Sequence, residues 1–415
     1  MTFSTAATTV GAGATVAIVS EVYNSGISYG LALPISFVIG MIILGIVAKK
    51  IKTIGDEYEA HTIVDFFHKR FDTKNKILTG VLQLFLLTIW IGVQAIAMAS
   101  LASVLMGVDY QIALFFAAAI TILYTTIGGL KIDIITDFIQ FWIILAMFII
   151  LAIVGYNHVG SISNLLSDLP QGHLNPFAFG GVTWFVGAIL LSGWLYLGNT
   201  THWQRIFSAE NQKIAKKSFF LTIPFVLLLS FLILFIGLVA AVSLPGIKQE
   251  TAIFSLMQNM LSPVLVGIGF AAILAVIMSS IDSLLIGGST IIYRAMFRKT
   301  EFKNKKELFY ARLTTALFGT FGFLLAFLVP NIITLSLVVT YLALIFVPAI
   351  FAGIYSKRIS ANASFYSILT PTIALFILFP IVGENTFVIT TPLSILIILF
   401  FDKVFRNKFS HQKSL

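Results

Sequence analysis

The sequence predicts an all-α polytopic membrane protein of about 12 transmembrane helices. Hydrophobic residues make up 58% of the chain and charged residues only 10%, whereas soluble domains carry roughly 25% charged residues. The charged residues lie between apolar runs of about 20 residues, which is the length that crosses a bilayer as a helix. In addition, Lys and Arg are concentrated in alternate connecting segments, as expected for cytoplasmic loops.

The apolar runs define the individual spans. The first run is rich in Thr, Ala and Gly and carries Glu21, so its hydropathy is the weakest. Twelve spans are predicted, at residues 2–25, 31–48, 77–105, 110–127, 132–155, 182–200, 218–243, 257–292, 309–328, 332–355, 363–382 and 386–401.

The basic residues predict the orientation. If the N-terminus is cytoplasmic, only Lys248 of the 26 Lys and Arg residues lies outside the inner segments. This pattern predicts cytoplasmic N- and C-termini and a multi-pass protein of the plasma membrane. It also explains the net charge of +9 without a nucleic-acid partner. The inner segments are residues 49–76, 131, 205–217, 294–312, 357–358 and 403–413.

Several classes of chemistry are disfavoured by composition. The chain has no Cys, which excludes disulfides and thiolate metal sites. Its six His residues lie in loops or at span ends, and no HExxH or Walker-A motif occurs. We therefore expect neither an enzyme nor an organic cofactor, and no ATP-driven transport by this chain.

The most informative polar residues lie in the middle of the eighth span. Ser279, Ser280, Asp282 and Ser283 interrupt an apolar run, and polar groups at that depth are costly unless they are functional. At about 100° per residue, Val276 and the three serines share one helix face, with Asp282 at its edge. This pattern indicates a cation site in a transporter.

Two other spans carry polar residues. In span 5, Asp133, Thr136, Asp137 and Gln140 form a stripe along one helix face. Asp133 is interpreted as interfacial, whereas Asp137 is deeper and should face protein or water. A purely structural role for Asp137, bonding a neighbouring helix, remains an alternative. In span 3, Trp90 and Gln94 lie one helical turn apart and are candidate solute contacts or helix-joining residues.

Small residues allow interrupted helices in two spans. The small residues of span 1 favour either close helix packing or an unwound backbone whose carbonyls bind an ion. In span 6, Gly193 and Gly198 bracket aromatic residues, which suggests a second interruption. There Trp194, Tyr196 and Asn199 are predicted to line a cavity, with an aromatic belt at the membrane interface as the alternative.

Four stretches together resemble the sodium:solute symporter family, which contains bacterial proline, pantothenate, sialic acid and galactose symporters. They are YTTIGGLKIDIITDFIQ (124–140), WQRIFSAENQKIAKKS (203–218), AAILAVIMSSIDSLL (271–285) and VPAIFAGIYSKR (347–358). The resemblance covers essentially the whole chain and implies a LeuT-like fold, a 5+5 inverted repeat plus two C-terminal helices. The implied divisions are a first repeat (1–156), an extracellular loop (157–181), a second repeat (182–358) and two extra helices with a cytoplasmic tail (359–415). Family members usually carry a further helix before the first repeat helix, so either that helix is missing here or the chain continues upstream.

The resemblance also implies site residues. Sodium, the coupling ion, would bind between helices 1 and 8, at the hydroxyls of Ser279 and Ser280 and the carbonyls of Val276, Ala7 and Val10. A second cation or proton site would involve Asp137, Asp282 and Ser283. The candidate solute contacts are Thr9, Trp90, Gln94, Trp194, Tyr196 and Asn199.

The predicted function is sodium-coupled symport of a small organic solute by alternating access. The expected partners are that solute and the lipid bilayer, without an obligatory protein partner. Because two nearby carboxylates repel unless a proton or cation lies between them, a proton-coupled symporter is an alternative. A non-transporting membrane sensor of the same fold is another. A channel is disfavoured because no pore-lining ring recurs.

Overall fold

The computed structural model is all-helical over the residues it describes, which are 1–9, 11, 14–128, 130–297, 305–329 and 331–412. Short 3-10 helices occupy Ser192–Tyr196, Gln249–Thr251 and Gly383–Asn385. The α-helices of this part of the chain are α1 (Thr2–Thr9), α2 (Val16–Ser25), α3 (Ile27–Tyr58), α4 (Ile63–Arg70), α5 (Thr73–Met106), α6 (Tyr110–Gly128), α7 (Leu130–Val159), α8 (Ile162–Asp168), α9 (Gly181–Leu191), α10 (Thr200–Ser208), α11 (Gln212–Ser243), α12 (Ala252–Met260), α13 (Pro263–Phe297), α14 (Lys305–Leu328), α15 (Ile332–Tyr355), α16 (Ala361–Val382) and α17 (Phe387–Gln412).

The helices match the predicted membrane spans. Among the described residues, eight helices are long and apolar enough to cross a bilayer, namely α3, α5, α7, α11, α13, α14, α15 and α16. The pair α9 and α10 forms a ninth, with a bend of 49°. Shorter apolar stretches lie in α6 and α17, and α1 with α2 takes the place of the first predicted span. The predicted fold class, a multi-pass helical membrane protein, is confirmed.

The two predicted interruptions are present. The first span is divided into α1 and α2, and the chain turns at Gly11, whose carbonyl accepts hydrogen bonds from the backbone of Ala14 and Thr15. The sixth is divided into α9, a 3-10 turn and α10. Here a Cβ on Gly193 would lie 1.9 Å from the Ser36 carbonyl oxygen, so the broken helix touches the backbone of α3 directly.

Three local features refine the predicted boundaries. The span predicted at 257–292 is two helices, because Pro263 begins α13 at the position where the missing N–H of proline costs nothing. The outer segment 157–181 contains α8, and the His173 carbonyl in its loop accepts a 2.8 Å hydrogen bond from the backbone of Ile27. The inner segment 49–76 contains α4, which begins with a capping box formed by Thr62 and Asp65.

The helices differ in how deeply they are buried. In its most apolar 18-residue segment, α5 is 78% buried, whereas the corresponding segment of α16 is 28% buried. Helix α5 is therefore central and α16 peripheral. The central helix α5 and the less buried α7 both pack against α13, and α1 packs against α7, α11 and α13. This packing brings the broken first span next to the polar residues of α13.

Candidate cation and solute site

Serine hydroxyls and backbone carbonyls meet where α1 ends beside α13. The Ser280 Oγ lies 3.4 Å from the Thr8 carbonyl oxygen and 3.5 Å from the Val276 carbonyl oxygen. Ser279 Oγ donates to the same Val276 carbonyl at 3.0 Å. In return, Thr8 Oγ1 lies 3.3 Å from the Ser279 carbonyl oxygen. The structure thus brings three of the predicted sodium ligands together with Thr8, which sequence reasoning did not single out.

The backbone of the broken span approaches this cluster closely. A Cβ on Gly11 would lie 2.0 Å from Ser280 Oγ, so only glycine leaves room for the hydroxyl at this position. Ala7 is fully buried in α1, one residue before Thr8. Val10 lies outside the described residues.

The ligand chemistry of this cluster suits a monovalent cation. All the groups are neutral hydroxyl or carbonyl oxygens, and the carbonyls at the C-terminal end of a half-helix carry partial negative charge. No group of three or more His, Cys, Asp or Glu residues suited to a metal ion occurs within the described part of the chain. Neutral oxygens at a broken helix are the ligands that secondary transporters use for Na⁺.

A cavity adjoins the cluster and shares Thr8, Gly11 and Ser280 with it. Its volume is about 80 Å³, measured as the space open to the centres of water-sized groups. Such a cavity suits a small solute. Its lining includes five of the six predicted solute contacts, Thr9, Trp90, Gln94, Tyr196 and Asn199.

Trp194 lies elsewhere. Its ring packs on Phe351 with centroids 5.3 Å apart, and its Nε1 donates to the Leu190 carbonyl at 2.9 Å. It lines a separate apolar groove together with residues of α15 and α17. Residues 192–196 form a 3-10 helix, in which Trp194 and Tyr196 project about 120° apart, so only Tyr196 lines the cavity.

The cavity contains polar atoms whose hydrogen bonds are not satisfied by the described residues. They are Trp90 Nε1, His202 Nδ1 and Ser336 Oγ, all of them buried. His202 is only 3% exposed, although its sequence position had suggested a span end. Buried polar groups normally have partners, so these atoms mark where polar groups of a solute can bind. Ser336 gave no sequence signal because it has no polar cluster around it, and a single serine in an apolar helix can bond to the backbone of its own helix.

The largest departure from prediction is Arg205. It was counted with a cytoplasmic loop, but it lies in α10 and is 2% exposed. Its Nη2 donates to Thr8 Oγ1 at 2.6 Å and to Ser283 Oγ at 2.8 Å, and lies 3.5 Å from Asp137 Oδ2. The polar sequence TTHWQR forms the helix after the break and is buried in the bundle. Hydropathy alone cannot distinguish such a polar half-helix from a loop. The predicted interruption at Gly198 was the available signal.

The structure places the three residues of the implied second site against two different partners. Asp137 and Ser283 both contact the Arg205 guanidinium. Asp282 instead accepts a 2.6 Å hydrogen bond from Thr125 Oγ1 on α6. Neighbouring residues on an α-helix project about 100° apart, so Asp282 and Ser283 face different helices.

Two broken helices around a central cavity form the architecture of secondary transporters. The model of the sodium:solute symporter family matches residues 1–370, and the chain belongs to that family.

Individual relatives support this assignment. The chain is 29% identical over 319 residues to the osmoregulated proline transporter OpuE of Bacillus subtilis (strain 168), with 73% of this chain and 64% of that protein aligned. It is 27% identical over 328 residues to the sodium/pantothenate symporter of Haemophilus influenzae, with 75% and 66% aligned. The matches therefore span just under two thirds of the length of these relatives.

A solved structure supports the fold. The chain is similar to a substrate-bound, outward-open Na⁺-coupled sialic acid symporter, with a TM-score of 0.82 and 17% identity over 97% of this chain and 89% of that one. The LeuT-like fold expected from the resemblance is confirmed.

Proposed function

We propose that the protein takes up a small organic solute through the cell membrane by sodium-coupled symport. The observation that carries the proposal is the contact between α1 and α13, where the Thr8 carbonyl lies 3.4 Å from Ser280 Oγ at the edge of the cavity. Sodium held by Ser279, Ser280 and the carbonyls of Val276 and the 7–10 segment would join the broken span to α13. Because Thr8 and Ser280 also line the cavity, ion binding would complete the solute site.

The arrangement in the membrane follows from the same proposal. Residues 1–156 and 182–358 form the two inverted repeats, the 157–181 segment is extracellular, and residues 359–415 supply the two extra helices and the tail. Both termini lie in the cytoplasm of a multi-pass plasma-membrane protein, in keeping with the distribution of Lys and Arg. The N-terminal end of α1 and the C-terminal end of α10 then lie on the cytoplasmic side of the cavity. No organic cofactor or nucleic acid takes part.

The solute is a small polar molecule. The relatives are named for proline and pantothenate, and both are small organic molecules with polar groups. Trp90 Nε1 is a donor only, and Ser336 and His202 can donate or accept. Such neutral groups suit the carboxylate and amine of an amino acid without a fixed basic residue.

The function is tested by uptake into proteoliposomes. The purified protein is supplied with a panel of labelled amino acids, including proline, and with pantothenate, under an imposed sodium gradient, a proton gradient or neither. We expect saturable uptake of one panel member that requires the sodium gradient. Uptake driven only by protons would replace the proposal with a proton-coupled symporter. Solute binding without uptake under any gradient would favour a sensor.

The Ser336→Ala variant is expected to raise the KM for the solute by roughly threefold to tenfold, the value of one lost neutral hydrogen bond. Sodium affinity should stay unchanged, because Ser336 lies on α15 and the proposed ion ligands lie on α1 and α13. Ser364→Ala is the matched control, since Ser364 is buried with an equally unsatisfied Oγ on α16 but does not line the cavity. Both variants are compared by uptake kinetics. An unchanged KM in Ser336→Ala would contradict the proposal that Ser336 contacts the solute.

A further inference from the structure

The apolar groove beside Trp194 opens toward the membrane. It lies where α9 and the 3-10 turn after it meet α15 and α17, and its volume is about 420 Å³, measured in the same way as that of the solute cavity. Three of its lining residues, Leu190, Ile395 and Leu399, are exposed, although all of them lie in predicted membrane spans. Apolar surface that is exposed within a span faces lipid tails rather than water.

The groove has few side-chain groups that could hold water. Among its described lining residues, only Trp194 and Thr391 carry a polar side-chain atom. Trp194 Nε1 already donates to the Leu190 carbonyl at 2.9 Å, and Thr391 Oγ1 is buried without a partner. A bound water needs two to four polar partners, whereas an apolar cavity takes up apolar groups. The apolar group that a bilayer supplies is an acyl chain.

A row of aromatic rings connects the groove to a positive charge. Phe351, which packs on Trp194 in the groove, also stacks on Tyr355 with ring centroids 5.7 Å apart and 13° between the ring planes. Lys50 Nζ in turn lies 3.8 Å from the centroid of the Tyr355 ring. Lys50 is exposed just after the second predicted span, and no carboxylate of the described residues forms an ion pair with it. Its ammonium is therefore available at the membrane surface.

The distance from the groove to this charge matches the depth of one leaflet. Leu344, a lining residue, and Tyr355, beside Lys50, lie about 16 Å apart along α15 at 1.5 Å per residue. The hydrocarbon core of a bilayer is about 30 Å thick, so one leaflet contributes about 15 Å. A lipid with its headgroup at Lys50 can therefore place an acyl chain along Tyr355 and Phe351 into the groove.

We propose that this groove is a binding site for an anionic phospholipid, with an acyl chain in the groove and the headgroup at Lys50. The lysine charge favours a lipid with net negative charge over a zwitterionic lipid. The lipid would contact the element that shapes the solute cavity, because Trp194 in the groove and Tyr196 in the cavity belong to the same 3-10 turn. Lipid binding at this groove is independent of which ion drives transport.

The test is quenching of tryptophan fluorescence by lipids with brominated acyl chains, which quench on contact. The purified full-length protein is reconstituted in phosphatidylcholine vesicles that contain increasing fractions of brominated phosphatidylglycerol or brominated phosphatidylcholine. The signal of Trp194 is the difference between wild type and Trp194→Phe. We expect half-quenching of Trp194 at about a fivefold lower fraction of the anionic lipid, which is the preference that one lysine near the surface provides.

Lys50→Gln should abolish this preference and leave quenching by brominated phosphatidylcholine unchanged. Lys216→Gln is the matched control, because Lys216 is also an exposed lysine over an aromatic ring, with Nζ 5.6 Å from the Phe220 centroid, but it lies on α11 and does not line the groove. This control should keep the preference. Both lysines are exposed, so neither change should disturb folding.

Three results would overturn the proposed lipid site. Trp194 that neither brominated lipid quenches would show that no acyl chain enters the groove. Equal quenching by the two lipids in wild type, or a preference that persists in Lys50→Gln, would remove Lys50 as the headgroup contact. Loss of the preference in both lysine variants would assign it to the general basic surface. None of these results bears on sodium-driven uptake, which is measured separately.

Discussion

Replacing Ser279 and Ser280 together by alanine is expected to abolish sodium-dependent uptake while the protein stays folded. Each hydroxyl is predicted to contact the ion, and an interaction of a hydroxyl with a charged group is worth roughly 1.5–3 kcal/mol, or about tenfold to a hundredfold in affinity. The structural cost should be small, because both hydroxyls bond within their own helix to the Val276 carbonyl, at 3.0 and 3.5 Å. Alanine also suits a helix interior.

This variant is tested by measuring sodium binding and sodium-driven uptake, with Ser367→Ala as the control. Ser367 is likewise a buried serine bonded to a carbonyl of its own helix, at 2.8 Å, but it lies on the peripheral α16. The control should keep sodium dependence. If the folded double variant still requires sodium for uptake, the α1–α13 contact is not the ion site.

Gly198→Ala is expected to destabilise the protein severely, by several kcal/mol, since overpacking against backbone cannot be relieved by a rotamer change. An added Cβ would lie 1.9 Å from the carbonyl oxygen of Ala343 and 2.7 Å from its carbonyl carbon. Displacing this backbone would also disturb the 2.6 Å hydrogen bond from Gln83 Nε2 to the Gly198 carbonyl.

The thermal unfolding temperature in detergent measures this effect. Gly267→Ala is the matched control, because Gly267 lies within α13 and a Cβ there meets nothing within 4 Å. That change should be neutral or should stabilise the protein by roughly 0.5–1 kcal/mol, the helix preference of alanine over glycine. A Gly198→Ala protein as stable as this control would contradict the close contact between the turn at Gly198 and α15.

Much of the fold could be predicted from hydropathy and charge, because the bilayer requires every span to be apolar and helical. Long apolar runs must become helices, and the placement of Lys and Arg follows the membrane sides. Small residues before α2 were compatible with either close packing or a broken helix, and the glycines around Tyr196 suggested a break; the structure has a break at both places. The serines at 279 and 280 were noticeable for the same reason, since polar groups inside an apolar span require an explanation.

The sequence did not predict the positions of some residues, because those positions depend on which side chains of other helices they contact. Arg205 follows a break, and a polar stretch after a break is equally compatible with a loop and with a buried half-helix. Asp282 and Ser283 are adjacent in sequence, yet one faces Thr125 and the other faces Arg205. Helix periodicity gives the angle between two side chains but not the neighbour that each one meets.

The glycine contacts of the sixth span have a mechanical consequence. At Gly193 and Gly198 this broken helix rests backbone-to-backbone on α3 and α15, without side chains between them that can yield. We expect these contacts to resist relative movement of the three elements. The junction of α1 with α13 is different, because it is formed by side chains and polar contacts of 3.3 and 3.4 Å rather than by backbone against backbone. We expect the α1–α13 junction to yield more readily than these backbone contacts, so a sodium ion bound there as proposed would hold the two helices together.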